Sequence, residues 1–257
     1  ISASFQLFKY INLTTSFNFT DRMYMQKIRQ DWDEKKQKVV RDTTLGFYNV
    51  YDYNMSMSLN TKLYGTYKPA KWAGGKKIYA IRHVFTPSVS FSYAPDFGSD
   101  SYGYYGTYQR TDRDGVPMGD PVVYSYFANS LYGTPSRGMR GNITMDVSNN
   151  LEMKLHSKKD SSGYKKISLI DEIGASLSYN MAAKSRPWSD LGMRLRLKLS
   201  KSKTISLNAV FATYAYEFDK NGNVVVGDRT EWSYGRFGRF QGMSQNFSYT
   251  INNQTFK

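Results

Sequence analysis

The chain has 257 residues, 35 Lys or Arg against 21 Asp or Glu, a formal charge of +14, 40% hydrophobic and 16% aromatic residues, and no cysteine. That length suits one large all-β body or two ordinary domains, and the even composition favours one. A mean hydropathy of −0.58 excludes a helical membrane protein, zero Cys excludes disulfides and thiolate metal sites, and the excess of cations implies an anionic contact: nucleic acid, phosphate-bearing lipid or acidic glycan.

Ile1 opens directly on the alternating run ISASFQLF, and the chain stops at Lys257 inside or just after a strand-like run, so a fragment of something larger is expected. Residues 10–26 put Ile11, Leu13, Phe17, Phe19, Met23 and Met25 on one face and Asn12, Thr14, Ser16, Asn18, Thr20 and Arg22 on the other. The charged run Gln30–Asp42 lacks a stripe and reads as an exposed loop. Leu45–Leu63 then alternates over a length that no soluble strand needs: strands usually have about 5–6 residues and a membrane-crossing strand about 9–11. Residues 67–77, with Pro69 and Gly74-Gly75, turn the chain.

A strand follows over about Tyr79–Tyr93, where Pro87 predicts a bulge, an edge or a weakly paired seam. Pro95–Pro121, rich in Gly, Asp and Tyr, reads as a large surface loop. Strands are then expected at Tyr124–Leu131, Gly141–His156 and Lys166–Met181. In the last, adjacent Asp171 and Glu172 force one carboxylate onto the apolar side unless a bulge shifts the register. Leu191–Leu199 alternates with Arg194, Arg196 and Lys198, an SKSK turn leads to Ile205–Ala215, and Asn221-Gly222 marks a hairpin. Later strands cover about Asn223–Gly227, Trp232–Gly238 and Gln245–Asn252, about ten strands in all.

Bulky Phe, Tyr and Met opposite Ser, Asn and Thr over such lengths suit a barrel wall better than a soluble sandwich. The fold class expected is therefore all-β, a transmembrane antiparallel meander barrel of the outer-membrane type. Residues 1–257 would form part of one such domain, with large surface loops at about 29–42 and 94–121. Lipid-facing positions would be Phe17, Phe19, Phe47, Tyr51, Tyr53, Phe85, Phe91, Leu151, Leu195, Leu197 and Phe211.

HVFTPSVSFSYAPDFG, residues 83–98, resembles the proline-containing strand before a large loop in the LptD family of outer-membrane lipopolysaccharide-assembly barrels. RGMRGNITMDVSNNLEMKLHSKKD with KKISLIDEIGASLSYNMAAKSRPWSDL is similar to a later part of that barrel, so the resemblance covers about residues 80–200. It implies a Gram-negative outer-membrane location, a barrel of more than twenty strands, and lipopolysaccharide as cargo. It also implies a plug lipoprotein of the LptE type and surrounding outer-membrane lipids as partners. Lipopolysaccharide would move through a polar lumen and leave by a lateral gate, which cannot be placed in this chain. The polar wall implied for phosphate and acidic sugars is Arg82, Lys154, Arg194, Arg196 and Lys198, with Asp146 and Glu152.

No catalytic residue and no cofactor is expected. His83 and His156 lack a GxSxG elbow or an HExxH helix, leaving His156 as the sole hydrolase candidate. Asp112, Asp114 and Asp219 resemble calcium loops without the closing Glu, and turn chemistry explains them. The rival readings are a porin or TonB-dependent-type receptor and, further off, a soluble basic glycan- or nucleic-acid-binding module, for which long apolar faces are superfluous.

Overall fold

The protein, seen in a computed structural model, is described over residues 1–70, 77–157, 163–200 and 202–249. Its strands are β1 (Ser2–Leu7), β2 (Ile11–Asp33), β3 (Lys38–Thr61), β4 (Leu63–Tyr67), β5 (Ile78–Ala94), β6 (Tyr105–Tyr108) and β7 (Val122–Ser125). They continue as β8 (Arg140–His156), β9 (Tyr164–Asn180), β10 (Leu191–Lys198), β11 (Lys203–Ala212), β12 (Tyr214–Phe218), β13 (Val224–Thr230) and β14 (Arg239–Tyr249). Ten of them form one sheet in the order β1-β2-β3-β5-β8-β9-β10-β11-β14, with β4 also on β5; β6–β7 and β12–β13 are separate pairs. The all-β meander and the count of about ten are as the alternation predicts. The described residues form no closed barrel, the order ending at β1 and β14.

Backbone contacts divide the chain into two compact units. The first comprises Ile1–Ser2, Ser16–Ser56 and Ser92–Gly141. Its parts of β2 and β3, Ser16–Asp33 and Lys38–Ser56, each exceed the roughly 9–11 residues of a bilayer-crossing strand. The expected loop at 29–42 is instead mostly strand, because β2 runs to Asp33 and β3 starts at Lys38. Only Glu34–Gln37 turns, closed by Lys36 N–H donating to Asp33 Oδ1 at 3.0 Å and Gln37 Nε2 donating to the Glu34 carbonyl at 2.7 Å. The Lys36 N–H, with the Lys36 charge, holds the Asp33 carboxyl below the usual carboxylate range. The charged side chains hid the strand, since alternation vanishes where neither face is apolar.

The segment expected as one loop at 94–121 carries β6 and part of its own aromatic core. Tyr24, Val50, Phe97, Tyr104 and Phe127 are buried together. Tyr24 stacks on Phe127 at 5.1 Å and its hydroxyl donates to the Gly133 carbonyl at 2.6 Å. The strand expected at Tyr124–Leu131 shrinks to β7, after which the chain turns.

The second unit comprises Ala3–Thr15, Met57–Phe91 and Asn142–Lys257. Residues directly opposite in antiparallel strands share a face, and here like mostly faces like, with Leu207 opposite Gln245 and Leu155 opposite Lys165 as exceptions. Val147, Ala175, Met193, Ala209 and Met243 form one row across β8, β9, β10, β11 and β14, and Leu197, Ile205 and Phe247 another. Between them lie Ser148, Gly174, Arg194, Asn208 and Ser244, then Arg196, Ser206 and Asn246. Pro87 lies inside β5, two residues past the Leu63↔Phe85 pair at the start of β4.

Trp232–Gly238 is no strand. Thr230 Oγ1 accepts from Ser233 N–H and Gly235 takes φ 69°, so Glu231–Tyr234 closes as a 3-10 turn. The Asn-Gly hairpin does form, joining β12 to β13, with Gly222 at φ 82°. Of the expected strand Gln245–Asn252, the part to Tyr249 belongs to β14 and the rest lies outside the described residues, as does the Gly74-Gly75 turn.

Candidate functional site

The polar face of the second unit holds a network of charges. Arg194 on β10 lies opposite Gly174 on β9, and a Cβ on that glycine would come within 2.8 Å of the Arg194 Cζ. The missing side chain gives the guanidinium room to lie across β9. From there Nη1 and Nη2 donate to Asp146 Oδ2 and Oδ1 on β8 at 2.7 and 2.8 Å, a bidentate fork, while Nε donates to Glu172 Oε1 at 2.5 Å. Arg196 Nε donates to Asp171 Oδ2 at 2.6 Å, and its Nη2 lies 3.4 Å from Glu172 Oε2.

Both adjacent carboxylates reach this face because the β8–β9 register slips between Asn149 and Leu151 and again before Glu152. Asn149 pairs with Ile173 but Leu151 with Ile170, leaving Asp171 and Glu172 outside the regular ladder. The condition set by their adjacency is thus met by an irregularity. Nearer the β8–β9 turn, Glu152 accepts Lys166 Nζ at 2.8 Å and lies 3.9 Å from Arg82 Nη1.

The expected polar residues are therefore largely drawn into ion pairs rather than left freely cationic. Arg82, Arg194 and Arg196 are engaged by Glu152, Asp146, Asp171 and Glu172, whereas Lys154 and Lys198 are exposed and in no ion pair among the described residues. Asp171, Glu172 and Lys166 were absent from the sequence candidates as wall members. Only the Asp171-Glu172 adjacency signalled them, because Arg194 and Asp146 are 48 positions apart.

Smaller polar pairs continue the pattern. In the first unit Ser16 and Ser56 hydroxyls lie 2.7 Å apart, Asn18 Nδ2 donates to Asn54 Oδ1 at 3.0 Å, and Arg22 Nη1 to Asp52 Oδ2 at 2.5 Å. In the second, Asn12 Nδ2 donates to Asn60 Oδ1 at 3.2 Å, and Thr144 and Ser178 hydroxyls lie 3.0 Å apart.

On the apolar side Phe19 and Phe47 are 56% and 64% exposed. Leu195 faces Ile173 and Leu207, Leu197 faces Ile205, Phe211 faces Leu191 and Phe240, Phe85 faces Leu63, and Leu151 faces Ile170. Phe91 is half-buried. Phe17 and Tyr53 rings are 5.9 Å apart, as are those of Phe19 and Tyr51. Tyr51 and Tyr53 depart from the simple lipid-facing expectation: Tyr53 meets Phe97 edge-on at 5.6 Å, and Tyr51 N–H donates to Tyr104 Oη at 3.0 Å. The loop beyond β5 folds back onto them because its Tyr and Phe bury best on other aromatic rings. A hydrogen bond to Tyr53, aided by burial, pushes the Tyr102 hydroxyl up to about 12.

His83 Nε2 lies 2.9 Å from Asn149 Oδ1, and the His156 ring meets Tyr79 and Tyr164, each at 5.5 Å, so neither has the acid and nucleophile of a triad. Asp112 Oδ1 accepts from Asp114 and Val116 N–H at 2.9 and 2.8 Å; Asp219 Oδ1 accepts from Asn221 and Asn223 N–H, both at 2.8 Å. Both carboxylates serve their own turns, and these bonds hold Asp219 below the usual carboxylate range.

A family model described as LptD protein matches residues 1–214 of the chain. No curated protein and no solved structure matches it.

Proposed function

The chain belongs to the LptD family, a transport and assembly family whose cargo is lipopolysaccharide, and from that premise we propose that it forms about ten strands of a wider outer-membrane barrel. In this reading residues 1–257 are one barrel domain, and lipopolysaccharide is inserted into the outer leaflet through its lumen and a lateral gate. The observation that carries the reading is the register of the second unit, in which polar and apolar rows alternate across β8, β9, β10, β11 and β14, broken at Leu207 opposite Gln245 and Leu155 opposite Lys165. Such a sheet needs two different solvents, lipid on one side and enclosed water on the other. A plug lipoprotein of the LptE type would occupy the lumen.

The polar rows supply hydroxyls, amides and the unpaired Lys154 and Lys198 for a hydrated, phosphate-bearing glycan. The Arg194 and Arg196 network stiffens the wall between them. Its charge balance also suits a passive pore, the one rival that a specific observation favours. Depletion of the protein in its own cell decides: lipopolysaccharide accumulating at the inner membrane supports assembly. Unchanged surface lipopolysaccharide, with ion conductance by the purified protein in planar bilayers, refutes it in favour of the pore.

A further inference from the structure

Four connections of the second unit lie at one end of its strands: Phe8–Tyr10, the run from Lys62 to β5, the β8–β9 turn and the β10–β11 turn. Thr61 Oγ1 donating to the Tyr10 carbonyl at 2.6 Å and His156 N–H donating to the Lys77 carbonyl at 2.9 Å tie neighbouring connections together. At this end the charged side chains are lysines, among them Lys9, Lys68, Lys154, Lys165, Lys198 and Lys203, all exposed. Residues 3–15, 57–81, 153–170 and 197–212 contain no Asp or Glu among the described residues, and the nearest carboxylate, Glu152, is held by Lys166.

The opposite end of the same unit differs. There Arg186 lies 4.0 Å from Asp228 and Arg236 2.6 Å from Glu231, and Asp190, Glu217 and Asp219 stand among the cations. Among the described residues one end is thus balanced by acids and the other is not, Asp160 of the β8–β9 turn lying outside them, an asymmetry that general solubility does not require.

Aromatic rings accompany the lysines. Phe8, Tyr10 and Tyr67 are exposed at 86%, 71% and 61%, Lys68 Nζ lies 5.6 Å over Tyr79, and Lys203 Nζ lies 5.5 Å over Tyr249. Exposed aromatics at strand ends mark the level of lipid headgroups, and cations beside them meet whatever charge those headgroups carry.

We propose that this lysine rim binds the anionic headgroups of phospholipids in the leaflet where the short turns emerge, fixing the depth of the barrel there. The inference rests on the barrel reading. It adds a lipid class, an end of the strands and named residues, and of its cations Lys9, Lys68, Lys165 and Lys203 lie outside the polar wall. The shared chemistry is phosphate; the committed source is a phospholipid such as phosphatidylglycerol, since exposed aromatics and lysines lie together at the strand ends.

The full chain is reconstituted in phosphatidylcholine alone and in phosphatidylcholine mixed with phosphatidylglycerol, with spin-labelled lipids reporting the immobilised fraction of each. Expected is a preference for phosphatidylglycerol of at least about threefold, weakened by high salt. Lys9→Gln, Lys68→Gln, Lys165→Gln and Lys203→Gln together should abolish that preference, and the four Lys→Arg changes should keep it. Equal immobilisation of the two lipids, or a preference surviving the Gln variant, overturns the rim while protease protection in phosphatidylcholine still upholds the barrel. Failure to insert into either membrane overturns the barrel reading and the rim with it.

Discussion

Removing the Arg194 guanidinium should cost more than an ordinary surface ion pair and less than a fully buried one. Its side chain is 31% exposed, Asp146 is 31% exposed and Glu172 20%, so solvent screens the site only in part. A hydrogen bond to a charged group contributes about 1.5–3 kcal/mol when buried, whereas exposed pairs give about 0–1 kcal/mol. With three such bonds at 2.5–2.8 Å converging on one guanidinium, Arg194→Met should lose about 2–3 kcal/mol. Much of that is two carboxylates left facing each other, with only Arg196 near Glu172. The coupling between Arg194→Met and Asp146→Asn, read from urea midpoints of the single and double variants in detergent micelles, should be about 1–2 kcal/mol. Arg194→Lys should recover less than half, because a single ammonium cannot fork to Asp146 and still donate to Glu172. A coupling within about 0.3 kcal/mol of zero would show that the three bonds are incidental to stability and refute the reasoning.

The two faces make opposite demands. Leu195→Arg, placed between Ile173 and Leu207, should cost about 2–4 kcal/mol if lipid covers that row, while Asn246→Arg on the polar face, opposite Ser206, should be nearly neutral. Folded fractions from heat-modifiable gel migration compare them, and equal losses would contradict the assignment of faces. The β12–β13 hairpin should respond to acid. Asp219 titrates below its ordinary value in the fold, so its contribution is present above the unfolded carboxyl range and is lost as pH falls through the lowered native value. Amide exchange at Asn221 and Asn223 should accelerate over that interval, and protection unchanged to the end of the titration would count against the turn bonds. Tyr102 titrates at about 12 rather than 10, and its neutral hydroxyl is the bonded form. The aromatic cluster should therefore hold to about pH 10 and loosen towards 12; near-ultraviolet absorbance placing its ionisation at 10 would refute the Tyr53 bond.

Alternation was enough to read β8, β9, β10 and β11 within a few residues, since each has one greasy and one polar side. It failed at Gln30–Asp42, where β2 and β3 continue with charged residues on both sides and period two has nothing to show. It misled at Trp232–Gly238, whose pattern suits a strand but whose Thr230 cap and left-handed Gly235 select a tight turn. The polar wall was legible as a set of side chains on one parity. Its neutrality was not, because each Arg finds its carboxylates on neighbouring strands, which sequence spacing alone does not pair. Tyr51 and Tyr53 were misjudged for the same reason: their cover comes from Phe97, Tyr102 and Tyr104, more than forty residues away.

The slip between Asn149 and Glu152 gives the ladder a place to absorb a change in length. Loss of one codon near Asn150 can be taken up where pairing is already out of step, so the greasy and wet sides downstream keep their places. The same loss inside β10, whose register with β11 runs unbroken from Leu191 to Lys198, would swap the remaining side chains of that strand to the opposite face. Insertions and deletions among natural variants should accordingly collect at the first position and be purged from the second.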